Sequence, residues 1–309
     1  MLSVKVLGAA AGGVFPQWNA NSEACRRVRA GDPAARPATQ ASIAVSADER
    51  RWFLINASPD LRQQIEATNC LQPAEGLRSS PIAGVLLTNG DVDAIAGLLH
   101  LREGTPFSLY AHSAVLKVLD DNPVFEVVNR SVVPRRALDI GAWQPLQLAD
   151  GGAGGIEVLP FAVPGKVPLY REKRASSESE MFDADGFTLG LAIRNGESCL
   201  AYVANCAEIT DVVAERLRGM PLVFIDGTLF TDDEMIRQGV GAKAGRRMGH
   251  VSMAGAGGSI ESLKPLGIGR KIFIHINNTN PVLLADAPER RAVEAEGFEV
   301  AHDGMEVRL

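Results

Sequence analysis

The sequence predicts an α/β protein folded as a four-layer αββα sandwich, with residues 1–309 forming one domain. Apolar runs at 82–87, 222–225 and 271–276 read as buried strands. They fall in two strand-rich halves, each with helical stretches of its own, the pattern of two sheets covered by helices. Hydrophobic residues make up 46% of the chain and charged residues 22%, and 309 residues is a length that layered folds often use for a single core.

Taken in order, residues 2–7 alternate as a first strand and run into the glycine-rich stretch 8–13. That stretch lacks GxGxxG spacing and a P-loop lysine, so the expectation is a close-packed turn where another backbone approaches. Residues 14–39, with Pro16, Pro33 and Pro37, read as an irregular excursion. Strands at 41–46 and 52–55 form a hairpin. Ser58 is placed as N-cap, and Pro59 at the first helical position, of a helix running into 61–67. Strand 82–87 leads to a helix over 93–101 that turns Ile95, Leu98, Leu99 and Leu101 to the sheet. The second half carries strands near 156–159, 188–193, 200–204 and 222–225, and helices near 209–217 and 252–263. Strand 271–276, a helix around 289–296 and short final strands complete it. Between the halves, 167–186 is charged, serine-rich and poor in apolar residues, the profile of a flap.

A net charge of −6 without a clustered Lys/Arg run argues against a nucleic-acid partner. No apolar run approaches the roughly 18 residues that span a bilayer, and no signal segment is recognisable, so the expectation is a cytoplasmic protein without membrane insertion. Cys25, Cys70, Cys199 and Cys206 are scattered without CxxC spacing and predict neither disulfides nor a zinc knuckle.

Chemistry concentrates at predicted strand ends. Asp91 and Asp93 stand between strand 82–87 and the following helix, where both carboxylates can face one ion. Hard oxygen donors suit Mg, Mn or ferrous iron. The competing reading has Asp93 capping the helix and Asp91 closing a local turn. His275 leaves an apolar strand into Asn277, Asn278, Thr279 and Asn280, a run that fixes ligands or turns. Its imidazole is placed to bind metal at the sheet edge, or to be a hydrogen-bonded core residue. His250 and Asp226 also fall at element ends, suited to supporting a metal's ligands or contacting substrate, with a turn-forming role as the alternative for Asp226. His100, His112 and His302 read as structural. No Ser-His-Asp or Cys-His arrangement is recognisable.

The stretch Thr88-Asn89-Gly90-Asp91-Val92-Asp93-Ala94 matches in spacing the T-H-x-H-x-D-H signature of the metallo-β-lactamase fold. Asn89, Asp91 and Ala94 replace its histidines, and Asp93 keeps its aspartate. Longer stretches, among them Phe15-Pro16-Gln17-Trp18-Asn19, Asn56-Ala57-Ser58-Pro59-Asp60, Met248-Gly249-His250 and His275-Ile276-Asn277-Asn278-Thr279-Asn280-Pro281, resemble the PqqB family along essentially the whole chain.

The resemblance implies a metallo-β-lactamase fold and a role in making pyrroloquinoline quinone (PQQ) from a processed Glu-Tyr precursor, alongside other proteins of that pathway. One description of the family is an Fe(II)- and dioxygen-dependent hydroxylase of the tyrosine ring. Another is a carrier that helps move the quinone or its precursor toward the periplasm, and a metal-dependent hydrolase is a third reading by fold analogy. Carried over by position, the metal ligands are Asp91, Asp93 and His275, and Ala94 stands where relatives supply a further histidine. His250 and Asp226 are then the catalytic candidates. Lys166, Arg246 and Arg247, with Asn277 and Asn278, are candidates for holding the substrate's carboxylates. Relatives carry a C-x-C-x-x-C zinc motif where this chain has Ala20, Ser22 and Cys25, so no structural zinc is expected.

Overall fold

The computed structural model describes residues 1–166 and 187–309. The predicted flap at 167–186 lies outside them. The strands are β1 (Ser3–Gly8), β2 (Ser42–Ser46), β3 (Trp52–Ile55), β4 (Ile82–Leu87), β5 (Ser108–Ala111), β6 (Arg135–Ala137) and β7 (Gln144–Gln147). They continue with β8 (Ala153–Ala162), β9 (Leu189–Asn195), β10 (Ser198–Val203), β11 (Leu222–Asp226), β12 (Arg270–Ile274), β13 (Phe298–Val300) and β14 (Glu306–Arg308). They form two seven-stranded sheets, ordered β14-β1-β2-β3-β4-β5-β6 and β13-β12-β11-β10-β9-β8-β7.

The apolar runs read as buried strands because both faces of each sheet are covered. In β3, Phe53 and Ile55 enter the core between the sheets, while Trp52 and Leu54 face the outer helices. In β11, Leu222 and Phe224 point inward, and Val223 and Ile225 pack under the helices of the second sheet. Every second residue thus meets a different hydrophobic layer, which accounts for unbroken hydrophobicity where a solvent-facing strand would alternate. This is the αββα sandwich.

Each sheet joins an antiparallel part to a parallel part. Strands β3 to β6 run parallel, as do β10 to β13. The carboxyl ends of the parallel strands in both sheets carry the polar residues of interest, the edge where open α/β sheets expose loops to ligands.

The predicted hairpin is present, with Ile43 opposite Ile55. Other expectations are corrected. The excursion at 14–39 contains a helix, Glu23–Arg29, capped by the Ser22 hydroxyl accepting from Cys25 N at 3.2 Å. The helix Leu61–Ala67 starts after Asp60 rather than at Pro59: residues 58–61 form a turn in which Leu61 N donates to Ser58 O, and the Ser58 hydroxyl accepts from Asp60 N at 3.3 Å and donates to Gln64 Oε1. The stretch 93–101 is one α-turn, Val92–Ile95, continued as a 3-10 helix over Ala96–Leu101. Gly97 passes so close to the 57–58 backbone that a β-carbon there would lie 2.1 Å from the Ser58 carbonyl oxygen. The helix expected over 252–263 is shortened to Ser259–Leu263 by left-handed Gly255 and Gly257. The chain's last strand, β14, returns to pair with β1, so the sheets are not simply the two halves of the sequence. Among the described residues no helix is long and apolar enough to cross a membrane.

Candidate metal centre

Three strand ends converge. Asp93 lies in the turn after β4, Asp226 closes β11, Thr228 follows it, and His275 follows β12. His275 takes a left-handed conformation, φ +61°. Such a conformation costs a β-substituted residue about 1–3 kcal/mol, and it persists here because the flanking backbone is pinned. Ile276 N donates to Ala9 O, Ala11 N donates to Ile276 O, and the Thr228 hydroxyl lies 3.0 Å from His275 O. The glycine-rich turn therefore brackets His275, and the α-carbon of Gly12 faces Asp93, with room for a β-carbon only at 3.6 Å from its Oδ2.

Ligand atoms of Asp226, His250 and His275 lie within 4.8 Å of one another, the group among the described residues that could hold a metal ion. Asp93 Oδ2 is 3.3 Å from His275 Nε2. The two imidazoles stack, with centroids 5.1 Å apart. Asp226 is fully buried and well bonded: Oδ2 accepts from Cys206 N at 2.9 Å, and Oδ1 accepts from Thr228 N at 2.9 Å. Asp226 therefore shapes its turn through Thr228, and its carboxylate lies in the group near His250 and His275.

Thr228 sets the tautomers. Its hydroxyl has one proton, and Asp226 Oδ1 at 2.7 Å is its shortest acceptor. The oxygen is then free to accept Nδ1–H of His275 at 2.9 Å, while Nδ1 of His250 lies 2.7 Å from Asp226 Oδ2 and donates there. Protons held on both Nδ1 atoms leave the Nε2 lone pairs for a metal or a proton.

The Asp93–His275 pair is electrostatically poised. Burial pushes the Asp93 carboxyl up, but the hydrogen bond and charge of His275 outweigh it and hold it below its ordinary value. Burial pulls His275 down, and the hydrogen bond and charge of Asp93, with the charges of Asp226 and Asp91, more than restore it, leaving it raised. A cation between the two groups does what the shared proton does, so the donor set fits a metal. Cys206 offers no competing nucleophile, since burial pushes its thiol up to about 12.

The remaining sequence candidates divide. Asp93 does not cap its helix; Asp91 is the N-cap residue and makes no side-chain cap bond, and Asn89 Oδ1 accepts from Asp91 N at 2.9 Å. Asp91 reaches the centre as one of the charges acting on His275. Lys166 packs against Gly249, the residue before His250, and Arg246 and Arg247 are exposed on the same turn. Asn277 and Asn278 instead spend amide donors inside the protein, on Thr279 Oγ1 at 2.7 Å and on Gln17 Oε1 at 2.6 Å. His112 accepts from Ala114 N at 3.4 Å and caps its helix. Ala20, Ser22 and Cys25 do not fit a thiolate zinc site: the Ser22 hydroxyl caps a helix, and the Cys25 sulfur is buried 4.0 Å from Asn278 Oδ1. Sequence reasoning missed the roles of Thr228 and of the Asn89–Asn205 bond, 3.1 Å, which ties the turn after β4 to the end of β10. Polar residues just past apolar strands were the available signal.

Comparison with known proteins agrees with this architecture. The beta-lactamase superfamily domain matches residues 51–276. Coenzyme PQQ synthesis protein B of Gluconacetobacter diazotrophicus is 54% identical over 99% of both chains. The chain belongs to the coenzyme PQQ synthesis protein B (PqqB) family. A second PqqB relative, from Bradyrhizobium diazoefficiens, is 51% identical over the full length of both chains. The crystal structure of Zn(2+)-bound PqqB from Methylobacterium extorquens superposes with a TM-score of 0.92 at 48% identity, covering 99% of this chain and 100% of that one. A diphosphatase of the PhnP family, 20% identical with a TM-score of 0.67 over 99% and 96% of the chains, shares the metallo-β-lactamase fold.

Proposed function

We propose that this protein acts in PQQ biosynthesis as an Fe(II)- and dioxygen-dependent hydroxylase of the tyrosine ring in a processed Glu-Tyr precursor, in the cytoplasm and alongside other proteins of that pathway. One observation carries the reading: two imidazoles and a carboxylate gather within 4.8 Å around the ends of β11 and β12, with Asp93 reaching His275 from the other sheet, a donor set that leaves positions open on ferrous iron for dioxygen and substrate. The name borne by the relatives supports the pathway.

His250 and His275 would hold the metal through Nε2, with Asp93 as an oxygen donor and Asp226 orienting His250 through its Nδ1–H. When bound, ferrous iron supplies the one-electron chemistry that activates dioxygen. The chain's own residues do the rest. Thr228 and Asp226 hold both rings by Nδ1 and keep Nε2 directed at the centre. His250, oriented by Asp226, has a second use as acceptor of the phenol proton when it is not ligating. Lys166, Arg246 and Arg247, clustered around the turn that carries His250, meet the substrate's carboxylates.

The test is anaerobic reconstitution with Fe(II), counting of bound iron, then admission of oxygen and excess ascorbate, which supplies the two electrons that reduce the second oxygen atom to water, with a Glu-Tyr dipeptide as substrate and mass spectrometry of the products. Zinc-loaded protein is the control, since zinc has no redox chemistry. Gain of one oxygen atom with iron only, abolished in Asp93→Ala and His275→Ala, supports the proposal; retained turnover in both variants sinks it. An Ala94→His variant run in parallel reports whether the histidine of relatives improves iron loading. Iron bound without product, together with quinone binding that persists in metal-free protein, would favour the carrier. Loss of turnover with iron retained in His250→Gln identifies His250 as the proton acceptor, and loss of iron makes it a ligand.

A further inference from the structure

The stretch Phe15-Pro16-Gln17-Trp18-Asn19 has no part in the centre described above, yet it presents a tryptophan to solvent. Trp18 is 85% exposed, whereas the other tryptophans are better covered: Trp52 is buried, and Trp143 lies beneath the Arg194 guanidinium, 4.0 Å from its ring centre. Its neighbours are held firmly. Gln17 O accepts from Arg29 Nη2 at 2.6 Å and from Ala20 N at 3.1 Å, Gln17 Nε2 donates to Asn19 Oδ1 at 2.7 Å, and Phe15 exchanges backbone bonds with Ala38. An exposed indole on a pinned loop is a preorganised surface, since little ordering entropy remains to be lost on binding.

The loop also borders the metal centre on two sides. Gly12, at its start, faces the Asp93 carboxylate. Gln17, adjacent to Trp18, accepts from Asn278, which lies just past His275. Val92, between Asp91 and Asp93 in the chain, is 59% exposed, a second exposed apolar side chain beside residues of the centre. A polar centre whose neighbouring segments expose an aromatic and an aliphatic residue suits a planar ring that bears polar substituents.

We infer that Trp18 is the platform on which the substrate's aromatic ring stacks as it enters the site. The inference rests on the proposed function for the ring's identity, and it adds a specificity-determining residue outside the ligand set.

The experiment titrates zinc-loaded protein with PQQ, following tryptophan emission and measuring affinity separately by equilibrium dialysis, for the wild type, Trp18→Phe and Trp18→Ala. Expected are saturable quenching in the wild type, loss of most of that quenching in both variants, affinity near wild type in Trp18→Phe, and affinity weakened roughly 3- to 10-fold in Trp18→Ala. Equal zinc content in all three proteins shows the centre intact. Unchanged affinity in Trp18→Ala overturns the inference while leaving the pathway assignment standing. Self-association that disappears in Trp18→Ala without any change in PQQ affinity likewise overturns it, making the indole a protein contact. Failure of the wild type to bind PQQ overturns the assignment of substrate class, and the role of Trp18 with it.

Discussion

Thr228 has a larger part in the centre than its small side chain suggests. One hydroxyl joins Asp226, His250 and His275, so Thr228→Val, which keeps the shape and removes the oxygen, should lower metal affinity by about 10- to 100-fold. Competition with a chelating dye checks this. The Asp93–His275 pair adds a pH dependence whose sign follows from the shifts. A lowered Asp93 contributes stability above its unfolded value of 3.8, lost as pH falls through its folded value. A raised His275 contributes below its unfolded value of 6.5, lost as pH rises through its folded value. Metal-free protein should therefore gain most from the pair between pH 3.8 and 6.5. Melting temperatures of wild type and Asp93→Asn should differ most in that window and converge on either side of it. Metal affinity should rise with pH, because the ion displaces the shared proton.

Among the elements, the segments around the centre depend on close backbone approach more than on regular helix. The 92–101 segment is held against the loop after β3 by Gly97 N donating to Ala57 O at 2.8 Å and Ala57 N donating to Ala94 O at 2.8 Å. A β-carbon at Gly97 has no space beside the Ser58 carbonyl. Gly97→Ala should therefore destabilise the protein by about 1–3 kcal/mol, the usual cost of overpacking, and lower metal affinity by shifting Asp93; a urea midpoint and a metal titration read the two effects. Ala94 is buried in the same apolar layer as Leu87, Ile95 and Leu98, so Ala94→His places a larger polar ring where a methyl group packs. The loop at 14–20 is tied by Arg29, whose guanidinium bonds Gln17 O and Ala20 O. Arg29→Ala should expose this loop to limited proteolysis while leaving the melting temperature nearly unchanged, since the lost bonds are at the surface.

For the whole molecule, the centre gains its Asp93 carboxylate because two sheets meet. Asp93 belongs to the first sheet's edge, while Asp226 and His275 belong to the second. Their spacing is set by the core between them, where Phe53, Ile55 and Leu86 meet Tyr202, Phe224 and Ile272 in one cluster. Phe224→Ala should cost about 3–5 kcal/mol and weaken metal binding as well, because a cavity in that layer lets the sheets shift relative to one another. Denaturant melts with and without metal would separate these effects.

Strand positions and the layered class were legible in the sequence, because a strand buried on both faces must be apolar throughout and 82–87, 222–225 and 271–276 could hardly be anything else. Asp91, Asp93, Asp226, His250 and His275 were legible as candidates, because polar residues that end such strands lie where a sheet exposes its loops. Which of them share a site was not. Asp93 and His275 are 182 positions apart, and only the packing of the two sheets brings them to one point. The same holds for Thr228, whose hydroxyl joins its near neighbour Asp226 to His250 and His275, which local sequence cannot bring to it, and for Asn278, whose amide is taken up by Gln17. The chain by itself determined the elements and their polar ends, through local periodicity and turn chemistry; the tertiary structure decided the ligand group, because coordination depends on distances between strands that no local pattern encodes.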